Sequence, residues 1–381
     1  MTFSSFDHEC MALALTLAAR GMNSTRPNPR VGCVLARDGR VLASGWHVSA
    51  GSAHAEVVAL ESAGGGAQGA TAYVTLEPCS HHGRTPPCVD ALLAAGVSRV
   101  VCAMEDPNVA VNGGVSGAGR RRLQQAGVQV DCGLMATAAE ELNAGFLMRM
   151  RSGRPWVRVK LASSLDGRTA LSNGVSQWIS SEASRADVQH WRARSCAILT
   201  GIGTVLADDP ALTARVNEAA KESTLQPLRV VADTHWRTPP RSRVMLEPAS
   251  TVIAGSQEHA IPSALSASGV ECLALPEVDG RIDLHALLRA LAVREINEVQ
   301  VEAGADLCGA LLKAALVDEI VLYQAPVLLG EGGPGLFNLG VIECMRDRTH
   351  LRVMETCYFG VDMRLRLRPI ADQPGCGNTG G

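Results

Sequence analysis

The chain has 381 residues, 46% of them hydrophobic but only 3% aromatic, so we expect two domains whose cores are built mainly from Ala, Val and Leu. The formal net charge of −3, from 35 basic and 38 acidic residues, argues against a nucleic-acid-binding or membrane-binding surface. No apolar run reaches the ~18–20 residues that a membrane span requires. Twelve scattered cysteines favour a reducing compartment over a small disulfide scaffold, so we expect a cytoplasmic protein.

The first half alternates between helical and extended patterns. Helices are predicted at 7–20, 54–63, 88–95 and around 121–125, and strands at 31–36, 40–45, 71–76 and 99–104. Asp38-Gly39 is typical of a tight hairpin turn. This alternation predicts an α/β sandwich around a central sheet. Residues 106–120 are rich in Gly and Asn and are predicted to form a loop.

The second half repeats the alternation and predicts a second α/β domain. Strands are expected at 156–161, 197–200, 229–232, 298–301 and 319–323, with helices at 182–194 and 306–315. The charged Gly/Pro segment 149–155 marks the expected boundary. We therefore predict a first domain at 1–150, a second at 155–371 and a disordered Gly-rich tail at 372–381.

Three residues of the first half form a metal-binding pattern. His54-Ala55-Glu56 opens a predicted helix, Cys79 follows a predicted strand, and Cys88 opens the next helix. One imidazole and two thiolates are a zinc ligand set that leaves a fourth position for water. Zinc generates hydroxide near neutral pH, and hydroxide can attack an amidine-like ring carbon. Glu56 is not a ligand, and it is placed to pass protons to the leaving ammonia.

The arrangement matches the H-x-E…P-C-x-x-C pattern of zinc nucleobase deaminases, except that eight residues separate the two cysteines. His81 and His82 lie in this longer gap, where they either compete as ligands, line the pocket or are solvated. Arg84, in the same loop, is the best candidate for binding a substrate phosphate in this half.

Single features of the second half are weaker signals. Residues 200–204 form a short Gly turn after a strand, which suits either a phosphate or an ordinary loop. Arg192 and Arg215 suit a phosphate or a solvated surface. Glu302 ends an apolar strand, and Trp178 either stacks on a ring or packs.

Longer motifs run through both halves in a consistent order. In the first half they are Pro27–Val34, His54–Glu56 and Thr75–Cys88. In the second half they are Lys160–Arg168, Ser176–Ile179, Thr204–Thr213 and Val301–Gly304. With these motifs the chain resembles, over nearly its whole length, the bifunctional deaminase–reductase family of riboflavin biosynthesis. The long gap between the two cysteines is a feature of that family.

The resemblance implies two successive reactions. The first domain would deaminate 2,5-diamino-6-ribosylamino-4(3H)-pyrimidinone 5′-phosphate with zinc. The second would reduce the ribosyl group with NADPH, giving 5-amino-6-(5-phosphoribitylamino)uracil. The implied folds are a cytidine-deaminase-like α/β/α sandwich and a dihydrofolate-reductase-like α/β domain.

The resemblance also implies roles for individual residues. His54, Cys79 and Cys88 would hold zinc, Glu56 would transfer protons and Asn28 would orient the ring. The implied substrate contacts in the second half are Ser176, Arg192, Leu212, Arg215 and Glu302. The implied cofactor contacts are Ala162, Trp178, Thr204, Asp208, Thr234 and the segment from Gly304. Lys160 would polarise or protonate the opened sugar.

Several features of the sequence allow more than one interpretation. The family's Asp-Pro-Asn-Pro loop has Val109 in place of the second Pro, and the segment 112–119 looks longer, which puts the contacts of this loop in doubt. No residue is an evident ligand of the 2′-phosphate, the group that NADPH has and NADH lacks, so the sequence does not decide between the two cofactors. We expect a homo-oligomer. The competing hypotheses are a nucleic-acid deaminase, which needs a basic, aromatic-lined channel, and a deaminase whose C-terminal half only binds a ligand.

Overall fold

A computed structural model describes residues 2–81, 86–108, 117–216, 225–246 and 249–370 of the chain. The chain divides into two compact units and passes from the first to the second between Arg154 and Pro155. In the described ranges, no helix is both long and apolar enough to cross a bilayer.

The first unit is built around a five-stranded sheet. Its strands are β1 (Gly32–Arg37), β2 (Arg40–Trp46), β3 (Thr71–Val74), β4 (Arg99–Cys102) and β5 (Gln129–Cys132). Its helices are α1 (Ser5–Ala19), α2 (Ala55–Ala63), α3 (Cys88–Ala94), α4 (Ala118–Gln125), α5 (Ala136–Leu142) and α6 (Ala144–Ser152). The strand order is β2-β1-β3-β4-β5; β1 is antiparallel to β2 and β3, and β3, β4 and β5 are parallel.

Alternate residues of each strand point to opposite faces of this sheet, so each face has its own core. Val34 packs on one face with Met11 of α1, while Leu35 packs on the other with Ala59 of α2. Ser4 caps α1, and its side chain and that of Asp7 satisfy each other's backbone N–H groups. The result is a sheet covered by helices on both faces, as the alternating pattern predicts.

The second unit contains a nine-stranded sheet. Its strands are β6 (Trp156–Ser163), β7 (Ala197–Gly201), β8 (Leu228–Ala232), β9 (Thr251–Ser256), β10 (Glu271–Leu275), β13 (Glu298–Val301), β14 (Glu319–Gln324), β15 (Leu351–Phe359) and β16 (Asp362–Pro369). A separate two-stranded ribbon consists of β11 (Glu277–Val278) and β12 (Arg281–Ile282). The helices are α7 (Glu182–Arg194), α8 (Ile202–Asp208), Arg243–Leu246, Ser263–Ser266, Leu284–Val293 and Ala305–Lys313, with a 3-10 turn at Met345–Asp347.

The order in the large sheet is β10-β9-β8-β7-β13-β6-β14-β16-β15. The first seven strands in this order, which run across the sheet from β10 to β14, are all parallel to their neighbours. Strand β16 pairs with β14 in antiparallel fashion, and β15 pairs with β16 in the same way. The central strands β7, β13 and β6 are buried and end at the same edge, where ligands bind in open parallel sheets.

The elements differ from the sequence predictions in a few places. The helix expected around 121–125 starts at Ala118, inside the predicted loop, of which residues 109–116 lie outside the described ranges. The hairpin β15–β16 was not predicted, nor were β5, β9 and β10. The tail at 372–381 also lies outside the described residues.

A buried ion-pair cluster lies inside the second unit. Arg158 on β6 is 1% exposed and donates from Nε to Glu319 Oε2 at 2.5 Å and from Nη2 to Glu298 Oε2 at 3.2 Å. Its guanidinium carbon lies 4.5 Å from the centre of the Trp191 ring. Burial raises the pKa of Glu319, but the charge of Arg158 outweighs it and holds that pKa at about 2. Glu319 and Arg158 therefore keep their charges in the core.

We expect Arg158→Met to lower the free energy of unfolding of the second unit by about 3 kcal/mol, because it leaves two buried carboxylates without their shared cation. Urea unfolding followed by tryptophan fluorescence measures this change. Arg289→Met is the matched control, since Arg289 is 63% exposed and lies 3.7 Å from Asp283. A loss of less than ~1 kcal/mol is expected there, and equal losses in both variants would contradict the assignment.

Candidate active sites

Three short connections bring the predicted metal ligands together in the first unit. His54 is the N-cap residue of α2, Cys88 is the first residue of α3, and Cys79 lies in the loop after β3. Among the described residues they are the single group of three or more His, Cys, Asp or Glu side chains that could hold a metal ion. Their ligand atoms all lie within 4.8 Å of one another.

The spacing of these atoms fits a zinc ion. His54 Nδ1 lies 3.2 Å from Cys88 Sγ and 3.6 Å from Cys79 Sγ. Tetrahedral zinc with its usual bond lengths places its ligand atoms roughly 3.3–3.8 Å apart. A hydrogen bond from Cys88 lowers the pKa of Cys79 to about 4, and the same bond raises the pKa of Cys88. Zinc binds cysteine as the thiolate, so the low pKa of Cys79 favours metal binding at this site.

Glu56 lies beside this group in the first turn of α2. It is 3% exposed. Burial raises the pKa of Glu56 to about 7, with a further contribution from the charge of Cys79. A carboxyl group that both accepts and gives up a proton near neutral pH is suited to general acid–base work.

His47 is a further pocket residue, and the sequence analysis did not identify it. Its ring is buried and contacts that of His54 edge-on, with 5.5 Å between the ring centres. His47 Nδ1 lies 3.1 Å from the carbonyl oxygen of Ala53, so Nδ1 carries the proton and donates. Its Nε2 then accepts from Asn28 Nδ2 at 3.0 Å. This chain of hydrogen bonds fixes the orientation of the Asn28 amide.

The loops around the site are tied together by Glu77. Its side chain accepts hydrogen bonds from the backbone N–H groups of Asp106 at 3.2 Å and Arg120 at 2.9 Å. Within the described part of the chain, His81 does not belong to the metal-binding group, and its buried Nδ1 has no hydrogen-bond partner there. His82, Arg84 and Val109 lie outside the described residues.

The second unit contains a cleft of about 2150 Å³. All twelve residues predicted for this half line it: Lys160, Ala162, Ser176, Trp178, Arg192, Thr204, Asp208, Leu212, Arg215, Thr234, Glu302 and Gly304. They come from segments that are far apart in the chain and meet where β6, β7, β8 and β13 end. The cleft therefore collects the dispersed motifs of the second half.

A cation–carboxylate group lies in this cleft. Arg192 on α7 donates from Nε and Nη2 to the two oxygens of Glu302, both at 2.7 Å, and from Nη1 to the carbonyl oxygen of Thr213. Burial raises the pKa of Glu302, but the charge of Arg192 outweighs it and holds that pKa at about 2. Burial lowers the pKa of Lys160, which the charge of Glu302 opposes. The wall of the cleft thus holds a carboxylate, a guanidinium and an amine, each of them half-buried.

Asp166 ties two loops of the second unit together, and Trp178 lies in the wall of the cleft. Asp166 accepts hydrogen bonds from the backbone N–H groups of Leu329 at 3.1 Å and Gly330 at 2.8 Å. Trp178 is 70% exposed, and the guanidinium carbon of Arg185 lies 4.6 Å from its ring centre. The indole is therefore available to a ligand and does not belong to the core.

Four further basic residues line the cleft, together with Asp279 and Asp283, and they were not predicted from the sequence. The basic residues are His235, Arg237, Arg243 and Arg281. They follow β8 or belong to the β11–β12 ribbon, beyond Thr234. A phosphate group suits this part of the cleft, because Arg side chains bind phosphate by paired charge-assisted hydrogen bonds.

Comparisons with known proteins agree with this division into two sites. Residues 4–104 match the family model described as the cytidine and deoxycytidylate deaminase zinc-binding region. Residues 155–365 match the RibD C-terminal domain. The fold class predicted from the sequence is confirmed.

Full-length relatives match both units together. The riboflavin biosynthesis protein RibD of Escherichia coli K12 is 50% identical over 369 residues, which are 95% of this chain and 99% of the relative. The Haemophilus influenzae protein of the same name is 43% identical over 377 residues, 97% of this chain and 99% of that one.

Solved structures give the same result. Acinetobacter baumannii RibD, form 1, superposes with a TM-score of 0.89 at 43% identity, covering 96% of this chain and 99% of that one. The Thermotoga maritima diaminohydroxyphosphoribosylaminopyrimidine deaminase/5-amino-6-(5-phosphoribosylamino)uracil reductase superposes with a TM-score of 0.83 at 31% identity, with the same coverage. The chain therefore belongs to the RibD family and is a bifunctional deaminase and reductase of riboflavin biosynthesis that uses zinc and NADPH.

Proposed function

We propose that the two halves act in succession on one pyrimidine ribotide. The segment 1–150 deaminates 2,5-diamino-6-ribosylamino-4(3H)-pyrimidinone 5′-phosphate, and the segment 155–371 reduces the ribosyl group of the product to ribityl. The observation that carries the proposal is that each half contains a complete reactive group. These groups are the three metal ligands beside Glu56 and the Lys160–Arg192–Glu302 group in the cleft.

In the deaminase half, His54, Cys79 and Cys88 hold zinc, which supplies Lewis-acid activation of water when bound. Glu56 accepts a proton from the attacking water at a carboxylate oxygen and delivers one to the leaving amine. The Asn28 amide hydrogen-bonds to the pyrimidinone ring, and His47 fixes its orientation. Arg84 binds the ribose phosphate.

In the reductase half, the substrate contacts are Ser176, Arg192, Leu212, Arg215 and Glu302. The cofactor contacts are Ala162, Trp178, Thr204, Asp208, Thr234 and the segment from Gly304. Because Arg192 already gives three donor groups to Glu302 and Thr213, it positions the carboxylate for the sugar hydroxyls as well as contributing charge. Lys160, half-buried beside this pair, would donate a proton to the ring oxygen of the ribosyl group as the bond from that oxygen to C1′ breaks. NADPH, when bound, would supply the hydride for C1′.

The basic residues of the cleft beyond Thr234 support NADPH as the cofactor. A nicotinamide that reaches Lys160 places the rest of an extended dinucleotide along the cleft, towards Thr234 and beyond. Arg237 is 57% exposed there, and its Nε lies 3.9 Å from Asp233. Its guanidinium is available to a 2′-phosphate, a group that NADH lacks.

The experiment that tests the proposal follows NADPH absorbance, with the diaminopyrimidinone ribotide as the only organic substrate. Oxidation of NADPH that stops when zinc is removed, and resumes when the deaminated intermediate is added, is the expected result. Ammonia release without NADPH oxidation would support the alternative in which the C-terminal half only binds a ligand.

We expect Lys160→Met to slow NADPH oxidation with the deaminated intermediate by at least ~100-fold in kcat, because the substitution removes the proton donor. Ammonia release by the other half is the internal control and should keep its wild-type rate. Lys160→Arg restores the positive charge without an easily released proton. Wild-type turnover in that variant would show that Lys160 acts through charge alone.

A homo-oligomer is also part of the proposal. Strand β15 is one of the two edge strands of the nine-stranded sheet, and among the described residues it exposes Val353, Met354 and Tyr358, which are 58%, 39% and 72% exposed. Exposed edges with apolar side chains are suited to pairing with another chain. Light scattering should give a mass above that of the 40.0 kDa monomer, and Tyr358→Lys should shift that mass downward.

The cysteines support a cytoplasmic location. Eleven cysteines lie in the described residues, and all of them are free. Free buried thiols and thiolate metal ligands persist in a reducing compartment.

A further inference from the structure

Cys102 and Cys132 are neighbours at the ends of the last two strands of the first sheet. They are register partners on the parallel strands β4 and β5. Register partners share a face of the sheet and lie about 4.8 Å apart between Cα atoms. A disulfide accepts Cα separations of about 4.4–6.8 Å. The backbone therefore already holds the two thiols at bridging distance.

The two thiols differ in their surroundings. Cys102 is fully buried, whereas Cys132 is half-buried and can be reached from solvent. The neighbouring Cys102 thiol lowers the pKa of Cys132, and Cys132 in turn raises the pKa of Cys102, whose Sγ lies 3.6 Å from the carbonyl oxygen of Asp131 as a donor. Cys132 thus has the character of an attacking thiolate and Cys102 that of a resolving thiol.

The pair lies one short connection away from the zinc ligands. After Cys102 the chain reaches Met104, whose carbonyl oxygen accepts from the backbone N–H of Glu77 at 2.9 Å, and Asp106, whose N–H donates to the Glu77 carboxylate. Glu77 is two residues before Cys79. A displacement at the end of β4 is therefore passed on to the loop that carries a zinc ligand, because close-packed interiors transmit strain.

We propose that Cys102 and Cys132 form a redox-active dithiol that peroxide converts into a cross-strand disulfide, which reversibly slows the deaminase half. The Cys132 thiolate attacks one peroxide oxygen; an S–O bond forms, the O–O bond breaks, and the released hydroxide takes the Cys102 proton to form water. The Cys102 sulfur then attacks Cys132; the S–S bond forms, the S–O bond breaks, and the hydroxyl group leaves as a second water after protonation. The two sulfurs lose two electrons in total, and peroxide gains them.

The covalent bond demands a movement. Bonded sulfur atoms lie about 2.05 Å apart, closer than hydrogen-bonded thiols. The ends of β4 and β5 must move together to reach that distance, and Glu77 moves with them through its contacts to Met104 and Asp106. The reductase half has no share in these contacts and serves as an internal reference.

The experiment treats the zinc-loaded, full-length protein with hydrogen peroxide in steps and follows two independent signals. The first is a disulfide-linked tryptic pair, Val100–Arg120 with Leu123–Arg149, each of which contains a single cysteine. The second is ammonia release, measured together with zinc content. The effect on ammonia release rests on the proposed function, whereas the linked peptide pair does not.

We expect the linked pair to form while zinc content stays constant, with at least a fivefold loss of deaminase turnover that dithiothreitol reverses. Cys132→Ser and Cys102→Ala should both resist this loss, and Cys344→Ser, which removes an exposed cysteine outside the pair, should behave like wild type. Absence of the linked pair would overturn the proposal. So would its formation without loss of turnover, or an equal loss in Cys132→Ser.

Discussion

Glu56→Gln should slow deamination ~10²–10⁴-fold while the protein keeps its zinc and its reductase activity. The amide has nearly the same shape as the carboxyl group, so it preserves the packing at a position that is 3% exposed. It cannot accept a proton from water or return one to the leaving amine. General acid–base groups contribute ~10²–10⁴ to rate, and we expect a loss of that size in ammonia release.

The matched control is Glu61→Gln, which makes the same change on the same helix at an exposed position. Its deaminase rate should equal that of wild type. Zinc content and NADPH oxidation with the deaminated intermediate should be unchanged in both variants. If Glu56→Gln also stopped the reductase, the picture of two independently working halves would be wrong.

Glu56 and its neighbours could be predicted because the signal is local. His54 and Glu56 are two residues apart at the start of one helix, and Cys79 directly follows a proline after a strand. Such short spacings fix the relative positions of side chains once the helix or strand forms. Cys88 is nine residues from Cys79, a spacing that does not identify a ligand by itself, and its role was implied by the resemblance to the family.

His47 was missed because nothing in its local sequence marks it. It lies one residue after β2, and the contact with Asn28 spans 19 residues and a change of direction in the chain. An isolated histidine after a strand is more often a packed core residue than a ligand-orienting one. Only the fold shows that its ring stands between the Asn28 amide and the backbone next to His54.

In the reductase site, too, the contacts join residues that are far apart in the chain and cannot be predicted from local spacing. Arg192 and Glu302 are 110 residues apart and form a paired contact that no spacing rule predicts. The sequence identified both as candidates, but it left Arg192 equally open to a phosphate or to solvent. The pairing gives both residues a specific role. The Arg192 guanidinium donates two hydrogen bonds to the Glu302 carboxylate and holds that carboxylate in its charged form.

The strands that were not predicted have a weak hydrophobic alternation, or one that is hidden by charged residues. The hairpin β15–β16 carries arginines among its apolar residues, which hides the alternation of a half-buried strand. Three of those arginines, Arg364, Arg366 and Arg368, lie over aromatic rings or against buried carboxylates instead of in solvent. The charged residues of this segment therefore indicated a solvent-exposed surface, whereas in the structure their side chains pack against rings and carboxylates.

Cys88→Ser should remove the metal and with it all deaminase activity. A serine hydroxyl is a far weaker zinc ligand than a thiolate. The two remaining ligands, His54 and Cys79, are too few to hold zinc stably. We expect zinc content after dialysis to fall to near zero and ammonia release to fall below detection. The first unit should also unfold at a lower temperature, because metal binding stabilises the folded state alone.

Cys10→Ser is the matched control, since Cys10 is equally buried in the same unit but lies on α1, away from the metal-binding group. It tests whether a buried hydroxyl alone lowers stability, and it should keep its zinc. Full zinc occupancy in Cys88→Ser would mean that the ligand set is wrong. The histidines at 81 and 82 would then be the next ligands to test, and a double variant with Cys88 would separate their contributions.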